Sequence, residues 1–327
     1  MNQTFLIVGL GSMGKRRIRN LRRHGENNIL GFDRRPDRRA EAQAKYGITI
    51  VDDFNQVRPE DFTALIISTS PEAHGDYIRY ALQRQKHFFV EHPTSADGYE
   101  EIFKHRNTPT VKAPSCTMRF YAPIKMLKEI LTAGKIGKIL AFQYHMGQYL
   151  PDWHPWEDYR QVYFAQKSTS ACREMFAFEL IWLNWLMGAA PVDVRGVIAK
   201  VSDLDMPADD VVLANVKYDN GIRGNLLIDV IARQPLRTLR VLGATGVLDW
   251  ERFAYQIKVF DVQSKTTDVI DVPRGQPEIG YVNEEEMYND EIKAFLDAIA
   301  GRAPYPFTFE ENLVNLRLLF KLIKSSE

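Results

Sequence analysis

Three glycines near the start of the chain are spaced to hold a phosphate group. Gly9, Gly11 and Gly14 follow a short apolar run and precede a basic stretch with helical spacing. Gly9 permits a tight turn, Gly11 leaves room for a pyrophosphate, and Gly14 lets the helix pack close to the strand. The N–H groups of Ser12 and Met13 at the helix start are then expected to bind the phosphates. The pattern predicts a dinucleotide-binding turn.

An acidic residue stands where such a site needs one. Asp33 follows a second apolar run, 19 positions after Gly14, and an acid at this place binds the adenosine ribose hydroxyls. Its carboxylate would repel a 2′-phosphate by about 4 kcal/mol per charge at roughly 4 Å, in a medium of dielectric constant about 20. NAD is therefore the expected cofactor. NADP is the alternative, because Arg34 and Arg35 follow directly and could offset the repulsion. The competing interpretation is a glycine-rich turn followed by an unrelated loop aspartate.

A second group of chemically capable side chains lies in segment 147–160. The segment is dense in aromatic residues, which offer faces to sugar rings, and in polar groups that bind hydroxyl or anionic groups. The substrate-contacting residues expected here are Tyr149, Asp152, Trp153, His154 and Arg160. The alternative is a rigid structural loop or a subunit contact, since Trp and Tyr also favour interfaces.

The secondary structure predicted around these groups follows two different patterns. Residues 1–118 alternate strand-like and helix-like stretches, which predicts an α/β domain with a doubly wound parallel sheet of the Rossmann type. Residues 119–327 contain consecutive strands with short turns, which predicts an α+β domain with a large, mostly antiparallel open sheet. Helices can cover one face of that sheet. A second subunit is the natural cover for the other face, so we expect a homodimer or homotetramer through this sheet.

Composition excludes several classes of partner. The 327-residue chain has 42 basic and 42 acidic residues, so no global field attracts nucleic acid or a membrane. The basic residues of segment 15–23 are expected to be mostly a solvated helix face. Cys116 and Cys172 make no disulfide framework, and the apolar runs are too short to span a bilayer, so a cytoplasmic setting is expected. The histidines lack metal-ligand spacing, and no metal is expected.

Taken together, these features resemble the Gfo/Idh/MocA family of nicotinamide-dependent oxidoreductases along nearly the whole chain. The resemblance rests on the glycine turn with Asp33, the run 65–74, the motif Glu91-His92-Pro93, the segment 118–123 and the C-terminal stretch 310–326. It implies further cofactor-binding residues at Arg34, Ser68, Thr69, Pro71, His74, Glu91 and Arg119.

The chain departs from the family pattern at the positions that handle protons. His92 stands where the family motif has a lysine, and Phe178 stands where a helical histidine is usual, counting back from Gly188. The aspartate expected three positions later is Ile181. A positioned acid or base typically raises the reaction rate by a factor of about 10² to 10⁴. A dehydrogenase that lacks both groups would therefore be slow unless other residues take their place.

Substitutes for the missing groups are present nearby. His92 is itself a proton carrier near neutral pH, and the resemblance places it beside the nicotinamide. Glu174 and Arg173 lie about one helical turn before Phe178, where Glu174 could move a proton and Arg173 could bind substrate. Tyr159 is a further assisting group. The alternative for Arg173 and Glu174 is a salt-bridged pair that caps the helix.

The resemblance implies hydride transfer to or from a sugar, sugar nucleotide or similar polyol. The aromatic segment resembles members found in bacterial surface-polysaccharide and nonulosonate pathways. Two other functions stay open because the usual lysine and histidine are absent. One is an NAD-binding sensor or regulator without turnover, and the other is a glycoside hydrolase or lyase that uses NAD transiently.

Overall fold

The computed structural model describes residues 3–92, 94–153, 157–277 and 284–326. Contacts divide the chain into two compact units, each assembled from two stretches. The first unit comprises Met1–Phe120 and Pro277–Leu313, and the second comprises Tyr121–Gln276 and Val314–Glu327. The expected boundary between residues 118 and 119 lies close to Phe120, after which the chain passes from the first unit to the second. The division differs from the expected one because segment 277–313 returns to the first unit.

The first unit has the predicted doubly wound parallel sheet. Its strands are β1 (Thr4–Val8), β2 (Asn28–Phe32), β3 (Thr49–Ile50), β4 (Ala64–Ile67), β5 (His87–Val90) and β6 (Lys112–Pro114). The helices between them are α1 (Ser12–Arg23), α2 (Pro36–Tyr46), α3 (His74–Gln83) and α4 (Tyr99–Lys104). The strands pair in parallel in the order β3-β2-β1-β4-β5-β6. The two-residue strand β3 was not predicted, because so short a run carries no periodic signal.

The second unit has the predicted large open sheet. Its helices are α5 (Ala122–Thr132) and α6 (Ala171–Met187). Its strands are β7 (Ile139–Gly147), β8 (Pro191–Ala199), β9 (Val211–Tyr218), β10 (Arg223–Asp229), β11 (Leu236–Gly243), β12 (Gly246–Glu251), β13 (Gln256–Asp261) and β14 (Thr267–Asp271). The order is β14-β13-β12-β11-β7-β10-β9-β8. Strands β7 and β10 are parallel, whereas the other neighbours are antiparallel.

One face of this sheet is packed and the other is open. Helix α6 packs on β9 and β10, and the side chains beneath it alternate with outward-facing ones, as a half-buried sheet requires. Glu179 on α6 is fully buried and accepts hydrogen bonds from Tyr144 (2.6 Å), Trp182 (2.6 Å) and Arg237 (2.7 Å). The outward face carries Val197 and Leu213, which pair across β8 and β9 and are 41% and 46% exposed.

Two helices end the chain, α7 (Glu286–Ile299) and α8 (Phe309–Ser326). The predicted start of α8 at Thr308 is confirmed. Thr308 Oγ1 accepts a hydrogen bond from the Glu311 N–H at 3.2 Å, and Glu311 Oε2 accepts one from the Thr308 N–H at 2.9 Å. This reciprocal pair satisfies N–H groups that a helix start leaves without intrahelical partners. Within the described ranges, none of the helices is both long and apolar enough to cross a bilayer.

The expectation that the basic stretch of α1 is a solvated face is wrong for much of the helix. Arg16 and Arg17 are 3% and 0% exposed. Arg16 Nε lies 2.9 Å from Glu285 Oε1, and Arg17 Nη2 lies 2.8 Å from Glu291 Oε2. The acidic partners come from the region of α7, 269 and 274 residues away in sequence. Local spacing therefore could not reveal that this face is covered.

Candidate functional site

The turn between β1 and α1 has a shape that only glycine allows at two positions. Gly9 has a φ of +88°, and a Cβ on it would lie 2.4 Å from the Ser68 carbonyl oxygen. A Cβ on Gly14 would lie 1.8 Å from the Gly9 carbonyl oxygen. Both contacts are with backbone atoms, which could move away only at a large cost in free energy. The glycines thus hold the start of α1 against the end of β1, in the geometry of a dinucleotide-binding turn.

The start of α1 is arranged to bind an anion. Gly11 is the N-cap residue, and as a glycine it has no side chain with which to cap the first N–H groups, which include those of Ser12 and Met13. A Cβ on Gly11 would meet the flexible side chain of Arg38, whose Nη1 lies 3.2 Å away. The first-turn N–H groups and the helix dipole fit a pyrophosphate, so the turn can accommodate the predicted cofactor.

Asp33 lies where the second strand ends and keeps capacity for a ligand. It is 7% exposed. Its Oδ2 accepts a hydrogen bond from the Leu10 N–H at 2.7 Å, and its Oδ1 accepts one from the Arg35 N–H at 2.8 Å. A carboxylate has about four acceptor positions, so the two that remain can serve ribose hydroxyls. Burial raises the pKa of Tyr77 above its usual value, and the nearby charge of Arg34, the neighbouring predicted contact, opposes this shift.

The segment after β4 lies next to this turn. The Ser68 N–H donates to the Val8 carbonyl at 2.8 Å, and Pro71 is buried at the start of a short 3-10 helix. His74 Nε2 lies 3.0 Å from the Thr69 carbonyl oxygen. Burial lowers the pKa of His74 to about 4, which outweighs the opposing effect of the Thr69 carbonyl. The imidazole is therefore neutral near pH 7, with Nε2 as the donor to Thr69.

The end of β5 is held by a buried ion-pair network. Arg17 donates to Glu91 through Nε (2.7 Å) and Nη2 (3.0 Å), and through Nη2 to Glu291 (2.8 Å). Glu291 in turn accepts from Ser115 Oγ at 3.0 Å and from Thr117 Oγ1 at 2.7 Å. Glu91 thus has a fixed position and a paired charge.

His92 follows Glu91 directly, and the residue is 8% exposed. Pro93, the last residue of the quoted motif, lies outside the described residues. The network therefore fixes the residue that immediately precedes the predicted acid/base.

Arg119 also has fixed partners within the first unit. Its Nη1 donates to the Pro306 carbonyl at 2.9 Å, its Nη2 lies 3.2 Å from Glu311 Oε1, and its guanidinium stacks 4.5 Å from the Phe307 ring centre. A direct contact between Arg119 and the cofactor stays a prediction.

In the second unit, Glu174 is a half-buried carboxyl group with one enclosed oxygen. It lies in the first turn of α6, and its Oε1 accepts a hydrogen bond from the Tyr163 hydroxyl at 3.2 Å. Its Oε2 is enclosed and has no hydrogen-bond partner among the described residues. Burial raises the pKa of Glu174 to about 7, although the Tyr163 bond favours the charged form. At neutral pH the group can therefore donate or accept a proton.

Of the substrate-contacting residues predicted in segment 147–160, Trp153 lies near Glu174, whereas others have different partners. Trp153 packs on Phe164 (ring centres 5.3 Å apart), and Phe164 packs on Tyr163 (5.1 Å). Trp153 and Glu174 therefore belong to one cluster. Asp152 is exposed nearby.

The remaining residues of this segment have partners of their own. Arg160 Nε lies 2.8 Å from Asp158 Oδ1, and the Tyr159 hydroxyl accepts from the Asp205 N–H at 3.0 Å. The Tyr149 ring lies 3.8 Å beneath the Arg233 guanidinium. His154 lies outside the described residues.

Arg173 does not pair with Glu174. Its Nε and Nη2 lie 2.8 and 2.7 Å from Asp209 Oδ2, so the alternative of a salt-bridged Arg173–Glu174 cap does not describe this helix start. Asp209 was not expected as a partner, because it precedes β9, 36 residues away.

Sequence reasoning also missed Tyr163, Phe164 and Arg38. Tyr163 and Phe164 lie just beyond segment 147–160. The high density of aromatic residues in this region was the signal that could have identified them. Arg38 lies within the arginine-rich stretch after Asp33, but spacing alone did not separate it from its neighbours. Within the described ranges, no group of three His, Cys, Asp or Glu residues is arranged to hold a metal ion. Both cysteines are buried free thiols.

Two family models match consecutive parts of the chain. Residues 3–112 match the model described as "Oxidoreductase family, NAD-binding Rossmann fold", and residues 124–249 match the GFO/IDH/MocA C-terminal domain. The first match covers the glycine turn and Asp33, and the second covers α6 and most of the large sheet. The Rossmann match identifies NAD as the cofactor class of the first unit.

Curated relatives are similar at low identity. Inositol 2-dehydrogenase of Salmonella typhimurium is 25% identical over 235 residues, which are 68% of this chain and 66% of that protein. The match thus spans slightly less than two thirds of the relative's length. Myo-inositol 2-dehydrogenase of Thermotoga maritima is 22% identical over 338 aligned positions, covering 98% of this chain and 95% of the relative.

Solved structures share the whole fold. An Agrobacterium radiobacter oxidoreductase in complex with NAD+, L-tartaric acid and magnesium aligns with a TM-score of 0.88 at 15% identity, covering 100% of this chain and 96% of that one. A levoglucosan dehydrogenase in complex with NADH aligns with a TM-score of 0.82 at 17% identity, covering 100% and 98%. With the two consecutive family models and a glycine turn that fits the cofactor, this chain belongs to the Gfo/Idh/MocA oxidoreductase family.

Proposed function

We propose that the chain is an NAD-dependent oxidoreductase that acts on a CH–OH group of a sugar, sugar nucleotide or similar polyol. The observation that carries the proposal is the Glu174 carboxyl, which accepts a hydrogen bond from Tyr163 beside the packed rings of Phe164 and Trp153, and whose pKa burial raises to about 7. The relatives whose names contain inositol and levoglucosan support a polyhydroxylated substrate. The alternative cofactor is NADP.

The first unit would hold the cofactor and move one proton. The N–H groups at the start of α1 bind the pyrophosphate, and Asp33 accepts hydrogen bonds from the ribose hydroxyls. Bound NAD would supply the hydride acceptor for oxidation of the alcohol carbon to a carbonyl, and NADH would supply the hydride donor for the reverse reaction. His92 accepts the hydroxyl proton in the oxidation and donates it in the reduction. Glu91, held by Arg17, fixes the backbone that carries His92.

Residues bordering the cofactor are proposed from the resemblance and from their positions. Ser68, Thr69 and Pro71 lie at the end of β4 beside the glycine turn, and His74 stiffens that segment through its bond to Thr69. The neutral imidazole of His74 adds no charge to the segment.

The second unit would bind the substrate. Glu174 hydrogen-bonds a substrate hydroxyl and can exchange a proton with it, because its pKa of about 7 makes both forms accessible. The Tyr163 hydroxyl orients the carboxyl. Trp153 offers an aromatic face to a sugar ring, whereas Asp152 and Tyr149 supply polar contacts. Roles for Tyr159, Arg160 and Arg173 are weaker, because each is engaged with Asp205, Asp158 or Asp209.

The test is reduction of NAD by purified protein offered a panel of inositols, free sugars and sugar nucleotides, followed at the nicotinamide absorbance. We expect one class of polyol to be oxidised, and His92→Gln and Glu174→Gln each to lower kcat by about 10² or more. Glu129→Gln, which removes an exposed carboxyl on α5, is the control and should leave kcat unchanged.

Other outcomes separate the alternative functions. Binding of NAD and of a sugar by calorimetry, with no absorbance change across the panel, would replace the dehydrogenase proposal with a sensor or regulator. Cleavage of a glycoside that needs bound NAD, with no net reduction, would indicate the hydrolase or lyase.

The homo-oligomeric assembly and the cytoplasmic location of the protein are also proposals. A second copy of the chain covering the outward face of the large sheet would bury Val197 and Leu213, which a lone subunit leaves exposed. The buried free cysteines support the expected cytoplasmic setting.

A further inference from the structure

We propose that Asp209 is a positioning residue for Glu174, because it binds Arg173 and so keeps that guanidinium from pairing with the Glu174 carboxylate. The inference rests on the proposed function, in which Glu174 exchanges a proton with the substrate. It gives the connection between β8 and β9, residues 200–210, a role in setting the charge of that group.

Asp209 holds the first turn of α6 through both its main chain and its side chain. Ser170, the N-cap residue, makes no capping hydrogen bond with its side chain. It is fully buried, and its Oγ donates instead to the Asp209 carbonyl at 3.0 Å. Arg173 Nε and Nη2 lie 2.8 and 2.7 Å from Asp209 Oδ2. Asp209 therefore binds the residue directly before Glu174 as well as the residue that precedes the helix.

Asp209 has a fixed position of its own, because the next residue attaches it to the sheet. The Asp210 N–H donates to the carbonyl of Ala199 at the end of β8, and the Asp210 carbonyl accepts from the N–H of Val230 just after β10, both at 3.0 Å. Asp210 is fully buried, and its carboxylate accepts two further backbone N–H groups from the connection. The start of α6 is thus held against the ends of two strands.

The same connection also holds the segment that carries the partner of Glu174. The Asp205 N–H donates to the Tyr159 hydroxyl at 3.0 Å. Four residues later, the Tyr163 hydroxyl donates to Glu174 Oε1 at 3.2 Å. Residues 205 and 209 therefore hold the two pieces of chain whose side chains meet at this carboxyl.

The charges around Glu174 explain why the partner of Arg173 matters. Among the described residues, the titratable groups with contacts at this helix start are Tyr163, Arg173, Asp209 and Cys172. Tyr163 donates to the carboxyl, Arg173 and Asp209 neutralise each other, and burial raises the pKa of the Cys172 thiol well above its usual value, so it is uncharged near pH 7. A released guanidinium beside Glu174 would favour the ionised carboxylate and lower its pKa from about 7.

The test is a titration of the full chain by NMR, with the glutamate carboxyl carbons labelled with ¹³C. The Glu174 signal is the one that Glu174→Gln removes. We expect its midpoint near pH 7 in the wild type and at least about 1 pH unit lower in Asp209→Asn, because Arg173 is then free to pair with Glu174. In the oxidation assay, the part of the pH profile of kcat that depends on Glu174 should move by the same amount.

Three further variants separate positioning from a general loss of structure. Asp209→Asn combined with Arg173→Gln removes both charges and should return the midpoint to within about 0.5 pH unit of the wild type, since the effect passes through Arg173. Asp209→Glu keeps the anion and should also keep the wild-type midpoint. Asp203→Asn removes an exposed acid of the same connection and is the control. If Asp209→Asn does not fold, Asp209→Ser removes the same charge with a smaller side chain.

The outcomes distinguish this inference from the proposed function. The role of Asp209 is refuted if the midpoint is the same in the wild type and in folded Asp209→Asn or Asp209→Ser, and the oxidoreductase proposal then stands. It is likewise refuted if the midpoint falls as far in the double variant as in Asp209→Asn, since the shift would not depend on Arg173. If the midpoints shift as expected but no polyol is oxidised by the wild type, the proposed function fails and the effect of Asp209 on the ionisation of Glu174 stands.

Discussion

At the scale of single residues, Glu174 couples stability to proton transfer. Its folded-state pKa of about 7 lies above the ordinary value of 4.5 because burial disfavours the charged form. The contribution of this group to stability is therefore fully present below pH 4.5 and is lost as the pH rises through 7. A half-buried carboxyl that costs stability when it is ionised fits a group that serves substrate binding.

Replacing Glu174 by Gln should remove the contribution of this group to the pH dependence of the unfolding free energy. The variant cannot ionise, so its unfolding free energy relative to the wild type should increase by about 2–3 kcal/mol between pH 5 and pH 8. Urea denaturation at several pH values measures this difference. Glu129→Gln, on the exposed face of α5, should follow the wild-type curve. Parallel curves for Glu174→Gln and the wild type would mean that the carboxyl is solvated in solution.

At the scale of elements, α1 is held by charge as well as by apolar packing. Ile18 and Leu21 are fully buried, but the same helix also buries Arg17 between Glu91 at the end of β5 and Glu291 on α7. The Arg17 guanidinium also lies 4.6 Å from the Phe89 ring centre. One side chain therefore ties the phosphate-binding helix to the strand end that precedes His92.

Removing this arginine should be costly. Arg17→Met leaves the two carboxylates buried without their cation, so we expect a loss of about 3–5 kcal/mol in unfolding free energy. Arg23→Met makes the same substitution at an exposed position of the same helix and should change stability by less than about 0.5 kcal/mol. Urea midpoints of the two variants give the comparison. Equal, small losses would show that the network contributes no net stability.

At the scale of the whole molecule, the open face of the large sheet is the feature that a single chain leaves uncovered. Leu213 pairs with Val197 on one side and with Leu227 on the other, so the three form an apolar row across β8, β9 and β10. Exposed apolar rows of this kind are typical of surfaces that bind another protein.

The proposed assembly predicts a change in mass when the row is charged. Leu213→Glu should convert a dimer or tetramer into smaller species in light scattering coupled to size-exclusion chromatography, because a buried unpaired carboxylate is unfavourable. Val262→Glu is the control, because Val262 is equally apolar and 54% exposed but lies in the turn between β13 and β14. A wild type that elutes as a monomer at micromolar concentration would refute the assembly.

Features that depend on near neighbours could be predicted from the residue types alone. The glycine spacing predicted the turn between β1 and α1, strand and helix alternation predicted the parallel sheet, and Thr308 predicted the start of α8. The turn and the helix start depend on a backbone conformation or on a hydrogen bond within a few residues, and the sheet was predicted from the local strand and helix preferences of its segments. Such preferences are carried by the local residue types.

Which polar side chains meet could not be predicted before the fold was known. Arg17 and Glu291 are 274 residues apart, and Arg173 pairs with Asp209 rather than with the adjacent Glu174. Arg38 stands at the turn although Arg34 and Arg35 follow Asp33 more closely in sequence. Long side chains can reach many partners, and the partner is selected by which elements pack together and by what is desolvated there. Those two conditions exist only once the chain has folded.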